Sequence, residues 1–226
     1  MSSTPTVSSF VPSSPDGQPG MPRVIEGGER LRRPGSRLAR GLLRLFGWRL
    51  VYSGLPARQG VIMVYPHTSN WDFVIGVLAK WGLGLELKFW GKDSLFKLPV
   101  FGSWVRWIGG IPVERSSANG VVADTVAQVR AAQQRQQIFW LALAPEGTRS
   151  RTDGWRSGAY HVAVQAGIPV GLAYFDFERR VVDLTHFVQL CGQPERDFAH
   201  FAQYLAPVKG KRPDQASPIT LKGSKR

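Results

Sequence analysis

Five consecutive apolar residues, Val61 to Tyr65, stop at Pro66, and after Thr68-Ser69-Asn70 the chain turns apolar again from Phe73 to Trp81. The first run has the length of a short buried strand. Proline ends it, and Thr, Ser and Asn are the residue types that start helices. A buried strand running into a largely apolar helix is half of a βαβ unit, which restricts the chain to a layered α/β arrangement. It also leaves His67 at the carboxyl end of the strand and Asp72 in the first turn of the helix.

The remaining pattern repeats this alternation. Strands are expected at Glu86–Trp90, Gly109–Arg115, Gln137–Ala144, Val170–Phe177 and Arg180–Val188. Helices are expected at Ala118–Gln137, Ser157–Ala166 and Pro194–Leu205, with short helical pieces between Ser94 and Trp107. Together they predict a single α/β domain with a mostly parallel central sheet flanked by helices. Its span is 36–206, with residues 1–35 disordered and basic towards their end, and 207–226 a basic flexible tail.

Of the net charge of +13, ten units lie outside residues 50–205. Basic ends of this kind suit an anionic surface. Within Ser36–Leu50, Leu38, Leu42, Leu45 and Phe46 recur at helical spacing, with Arg37, Arg40 and Arg44 on a neighbouring face and Trp48 at the end. That is the pattern of a helix lying in a membrane interface, and equally of a surface helix packed on its own core. No zinc-ligand, RNA-binding or helix-turn-helix pattern points to nucleic acid. No apolar run approaches the ~20 residues of a spanning helix. The single cysteine, Cys191, fits a reducing compartment.

His67 and Asp72 carry the candidate chemistry. A neutral imidazole accepts a proton from a hydroxyl, and a carboxylate on its other nitrogen fixes the tautomer and steadies the imidazolium. Ser69-x-x-Asp72 also fits a capping box, in which Asp72 serves only backbone N–H groups; the spacing leaves both readings open. Cations follow the other strands: Lys92, Arg115, and Arg149 within Glu146-Gly147-Thr148-Arg149, with Arg156 before the next helix. Gly147 allows close backbone approach, arginine offers a planar fork, and a helix N-terminus favours an anion. Around one crevice, such groups suit a phosphate.

Four stretches, in order, resemble the motif blocks of the glycerolipid acyltransferase family, whose type member acylates lysophosphatidic acid. They are His67-Thr68-Ser69-Asn70-Trp71-Asp72, Gly110-Ile111-Pro112-Val113-Glu114-Arg115, Pro145-Glu146-Gly147-Thr148-Arg149-Ser150 and Gly167-Ile168-Pro169-Val170. The family's later proline in the fourth block is replaced by Gly171-Leu172. The resemblance implies that His67 is the general base and Asp72 its partner. It implies that Arg115, Glu146, Gly147, Thr148 and Arg149 serve the acceptor phosphate, with Lys92 and Arg156 as further cations.

It also implies transfer of a fatty acyl group from acyl-coenzyme A or acyl carrier protein to the free hydroxyl of a lysophospholipid. The expected acceptor is 1-acylglycerol-3-phosphate, giving phosphatidic acid, with no cofactor and no metal. The alternatives are the same chemistry on another lysolipid, such as a lyso-aminolipid, or a dead membrane- or nucleic-acid-binding protein. The expected place is peripheral, on the cytoplasmic face of a membrane.

Overall fold

The computed structural model describes residues 20–26, 30–113 and 118–223. In chain order the elements are β1 (Arg23–Val24), α1 (Arg37–Leu45), β2 (Arg49–Tyr52), β3 (Gln59–Tyr65), α2 (Trp71–Leu83), β4 (Leu87–Lys92), α3 (Asp93–Phe96), α4 (Phe101–Trp107), β5 (Gly110–Val113), α5 (Ala118–Gln134), β6 (Phe139–Leu143), α6 (Gly158–Ala166), β7 (Val170–Asp176), β8 (Val181–Gln189) and α7 (Pro194–Leu205).

The sheet order is β1-β8-β7-β3-β6-β4-β5, with β2 also on β8. From β7 to β5 every neighbouring pair is parallel. β8 returns antiparallel to β7 and takes β1 antiparallel and β2 parallel. This is the α/β fold that the alternation of elements predicts. Five carboxyl strand ends therefore open onto one edge, the edge where open α/β sheets place their ligands.

Strand β3 shows why the sheet must be covered twice. Val61, Met63 and Tyr65 pack with Val126 and Val129 of α5, Tyr160 and Val162 of α6, and Phe198 and Phe201 of α7. Ile62 points the other way, towards Trp140, Leu184 and Phe187. Val64, on the Ile62 side, packs against a cluster of Leu43 from α1, Ile75 and Ala79 from α2, and Trp48 from the turn before β2. The two-residue period of a strand thus sorts an unbroken apolar run into two cores.

Three expectations change. The amphipathic helix stops at Leu45, since Gly47 takes φ 76° and Arg49–Tyr52 becomes a strand paired with β8. Its inward residues are Ala39 and Leu43. Trp48 is buried beside Phe177, so it packs in the core and is no interfacial anchor. In the segment expected to be disordered, residues 1–19 lie outside the described residues, whereas Arg23–Val24 join the sheet and Leu31 bridges to Leu55. Residues 207–223 are no free tail: they run hydrogen-bonded across the carboxyl edge, from Phe177 to Trp155.

Candidate active site

The turn between β3 and α2 is built around Asp72. Its Oδ2 accepts the backbone N–H groups of Thr68 (2.7 Å) and Ser69 (2.8 Å) and lies 3.3 Å from His67 Nδ1. Ser69 Oγ accepts the Trp71 N–H at 3.2 Å. Capping and imidazole pairing, which the spacing left as rivals, are performed by one oxygen. Asp72 is 1% exposed and the His67 side chain 21%. The aspartate is therefore shielded from water while the ring keeps one side open. With Nδ1–H directed at the carboxylate, the lone pair sits on Nε2.

Glu146, in the loop after β6, is also 1% exposed. Its Oε1 accepts the His67 backbone N–H at 2.6 Å, and its Oε2 accepts the Ser217 N–H at 2.8 Å. Burial raises its pKa above the usual carboxylate range, and the bonds from His67 and Ser217 oppose that rise. The same burial, with the Glu146 charge nearby, pushes Tyr65 up to about 12. Glu146 thus clamps the His67 backbone to the C-terminal segment; both its oxygens are engaged there, and it pairs with no arginine among the described residues.

The other expected residues follow neighbouring strands. Because β3 pairs with β6, His67 and the Glu146–Arg149 loop leave adjacent strand ends. Gly147 takes φ 70°, and a Cβ there would meet the Arg156 guanidinium. Only glycine therefore lets Arg156 fold over the loop. The Arg156 N–H donates to Pro145 O at 2.8 Å. Thr148 Oγ1 accepts the Ser150 N–H at 3.4 Å. Arg149 and Arg156 are exposed. Lys92 ends β4 opposite Val113 of β5, so it stands beside the strand that leads to Arg115. Arg115 itself lies outside the described residues.

Residues 50–171, more than half of the chain, match the family model described as Acyltransferase. The chain belongs to the acyltransferase family. A 1-acyl-sn-glycerol-3-phosphate acyltransferase of Salmonella typhimurium is 34% identical over 112 residues, covering 48% of this chain and 44% of that protein. The 1-acyl-sn-glycerol-3-phosphate acyltransferase BAT2, chloroplastic, of Brassica napus is 28% identical over 108 residues, covering 46% of this chain and 30% of that protein. The chain thus matches less than half the length of either relative. The crystal structure of the 1-acyl-sn-glycerophosphate (LPA) acyltransferase PlsC from Thermotoga maritima has a TM-score of 0.48 and 17% identity, over 74% of this chain and 73% of that one.

The first and third motif stretches leave the carboxyl ends of β3 and β6, whereas Gly167-Ile168-Pro169-Val170 enters β7 at its amino end, on the opposite edge of the sheet. Two contributors are invisible to motif reading. Ser217 holds Glu146, and Thr68 Oγ1 accepts the Arg212 N–H at 3.2 Å. Both contacts come from the C-terminal segment, whose Pro, Lys and Arg content resembles that of a loose tail. Only Ser217-Pro218, a turn-forming pair, hints that this backbone is fixed.

Proposed function

We propose that this chain transfers a fatty acyl group from a thioester to the free hydroxyl of a lysophospholipid, with 1-acylglycerol-3-phosphate as acceptor and phosphatidic acid as product. The observation that carries the reading is the buried Asp72 carboxylate facing Nδ1 of a half-open His67 at the carboxyl edge of the sheet. His67 Nε2 takes the proton of the acceptor hydroxyl. The oxygen attacks the thioester carbonyl, the C–S bond breaks, and the departing sulfur takes the proton from the imidazolium. An ester and a free thiol result, and no covalent enzyme intermediate is needed. Asp72 steadies the transient positive charge. Arg149 and Arg115 hold the acceptor phosphate, with Lys92 and Arg156 beside them, and the relatives' names support a glycerol phosphate acceptor. The donor is acyl-coenzyme A or acyl carrier protein.

A lysolipid panel offered both donors, read by mass spectrometry, tests this. Phosphatidic acid is the expected product, and His67→Ala is expected to cut turnover about 10²–10⁴-fold. Near-normal turnover of a folded His67→Ala protein refutes the assignment. Another lysolipid consumed in place of lysophosphatidic acid refutes the acceptor alone.

The protein is proposed to work from a membrane surface. Among the described residues no helix is long and apolar enough to cross a membrane. Of the fifteen exposed large hydrophobics among the described residues, twelve lie on α1 and its C-cap, on the first turn of α2, and between Leu95 and Trp107. Phe73–Trp104 and Trp81–Trp107 ring contacts seat α4 on α2, and α2 also carries α1, so all share one face of the sheet. Leu45 (77%), Phe46 (64%) and Trp107 (73%) are bare apolar surface, with Arg37, Arg40 and Arg44 exposed alongside. Apolar side chains rimmed by arginine fit the headgroup boundary of an anionic leaflet. Cosedimentation with phosphatidylglycerol vesicles should exceed that with phosphatidylcholine and weaken as salt rises. Absent or salt-independent binding refutes it.

A further inference from the structure

The region matched by the family model ends at residue 171, yet the site is completed by residues 209–222. Their course crosses three strand ends in turn. Lys209 O accepts the Phe177 N–H just past β7 at 2.9 Å. Gly210 presses on the turn after β3, where a Cβ would lie 2.8 Å from both Pro66 Cγ and Thr68 Oγ1. Arg212 N–H donates to Thr68 Oγ1, and Ser217 N–H to Glu146 beyond β6. Ser217 Oγ accepts the Thr152 N–H at 3.1 Å. Trp155 N–H donates to Thr220 O at 2.7 Å, and Lys222 N–H donates back to Trp155 O at 2.8 Å.

This strap carries Lys211 and Arg212 to the rim beside His67, with the Arg212 main chain held at Thr68. Lys211 Nζ stands 4.8 Å from the centroid of the Trp71 ring, in the first turn of α2. Both cations are exposed, and among the described residues neither lies within ion-pair distance of a carboxylate, whereas neighbouring Lys209 pairs with Glu178. The positive end of the α2 dipole points at the same rim. Asp72, the acid nearest in sequence to that end, is buried and turned to Thr68, Ser69 and His67. Two cations at one rim, beside a helix N-terminus, favour an anion there.

We propose that Lys211 and Arg212 are the binding site for the phosphate of the acyl donor, a phosphopantetheine thioester. The inference rests on the acyl-transfer reading. Two anionic substrates must bring a hydroxyl and a thioester carbonyl together at His67 Nε2. The acceptor phosphate is assigned to the β6-to-β5 side, at Arg149, Arg115 and Lys92. Lys211 and Arg212 lie between the ends of β7 and β3, on the side of His67 away from β6 and β4, the strands that precede Arg149 and Lys92, so the second anion is assigned to them. The pantetheine arm separates phosphate from sulfur, so the cations belong at the rim and not beside the imidazole. Charge-assisted bonds to an oxyanion then select phosphorylated donors.

The test uses the full chain and the variant Lys211→Ala/Arg212→Ala, which keeps the Arg212 and Ser217 backbone bonds. Equilibrium dialysis measures binding of coenzyme A and of holo acyl carrier protein without turnover. The double variant is expected to weaken whichever carrier the wild type holds by at least about five-fold, and Lys211→Arg/Arg212→Lys to restore it. In kinetics the donor KM rises, the acceptor KM stays constant, and a phosphate-free acyl-N-acetylcysteamine thioester reacts equally with wild type and variant. The dialysis arm that responds tells a nucleotide-borne phosphate from a protein-borne one. Unchanged carrier binding, a wild type that binds neither carrier, an equal loss with the phosphate-free donor, or a raised acceptor KM overturns the proposal. If the wild type acylates no lysolipid, the acyl-transfer reading fails alone, and the dialysis still decides the role of the cations.

Discussion

Asp72→Asn separates the two duties that one oxygen performs. Asparagine keeps an acceptor oxygen for the Thr68 and Ser69 N–H groups, and its NH₂ takes the place of Oδ1, which has no hydrogen-bond partner among the described residues. The turn is therefore expected to survive. The charge-assisted part of two bonds and the helix-dipole contribution are lost, about 1–2 kcal/mol in stability. Catalysis loses more. At the observed 3.3 Å, an imidazolium and a carboxylate attract by about 5 kcal/mol at an effective dielectric of about 20. The open side of His67 lets water screen part of this, leaving about 3–4 kcal/mol to stabilise the charge that forms as the hydroxyl proton moves. That corresponds to a rate loss of about 10²–10³-fold. Asp72→Ala strands two buried N–H groups and is expected to cost about 2–6 kcal/mol. Thiol release from acyl-coenzyme A, with urea unfolding in parallel, measures both quantities. An Asn variant with near-wild-type turnover would refute the reasoning, because Asp72 would then only cap its helix.

Other expectations follow from the same geometry. Burial raises the folded pKa of Glu146 above its unfolded value of about 4.5. Its contribution to stability is therefore present below that value and lost as pH rises through the folded one. The stability of wild type relative to Glu146→Gln, from urea unfolding between pH 4 and 8, should fall as pH rises; a difference that grows with pH overturns this. Gly147→Ala places a Cβ at φ 70° against Arg156, and calorimetry should show about 1–2 kcal/mol lost. Leu45→Glu should change the unfolding free energy by no more than a neutral surface substitution, about 0.5 kcal/mol, in urea unfolding, while reducing vesicle cosedimentation.

The strand–turn–helix at Val61–Trp81, and the loops that end strands, were legible because proline, capping residues and unbroken apolar runs act locally. What escaped depends on partners distant in sequence. The pattern of α1 shows an apolar stripe but not which stripe meets the protein. Ala39 and Leu43 turn inward, and the more conspicuous Leu38, Leu42 and Leu45 stay outside. Trp48 is buried because Gly47 turns the chain back into the sheet, a backbone event that helical periodicity cannot register. The sequence groups Glu146 with the phosphate ligands because its loop carries Arg149. Its actual partners are two main-chain N–H groups, which leave no trace in composition.

The C-terminal strap has a consequence for synthesis. Tyr65 OH reaches Ser217 O across 152 positions, and the turn at His67 receives its clamp through Glu146 from the same residue. A nascent chain can fold the apolar sheet as its strands emerge, but the clamp that Glu146 places on the His67 backbone stays incomplete until Ser217 has left the ribosome. Synthesis that stops short of that point leaves the turn without its Ser217 contacts, so the last contacts to form are those that brace the main chain at His67.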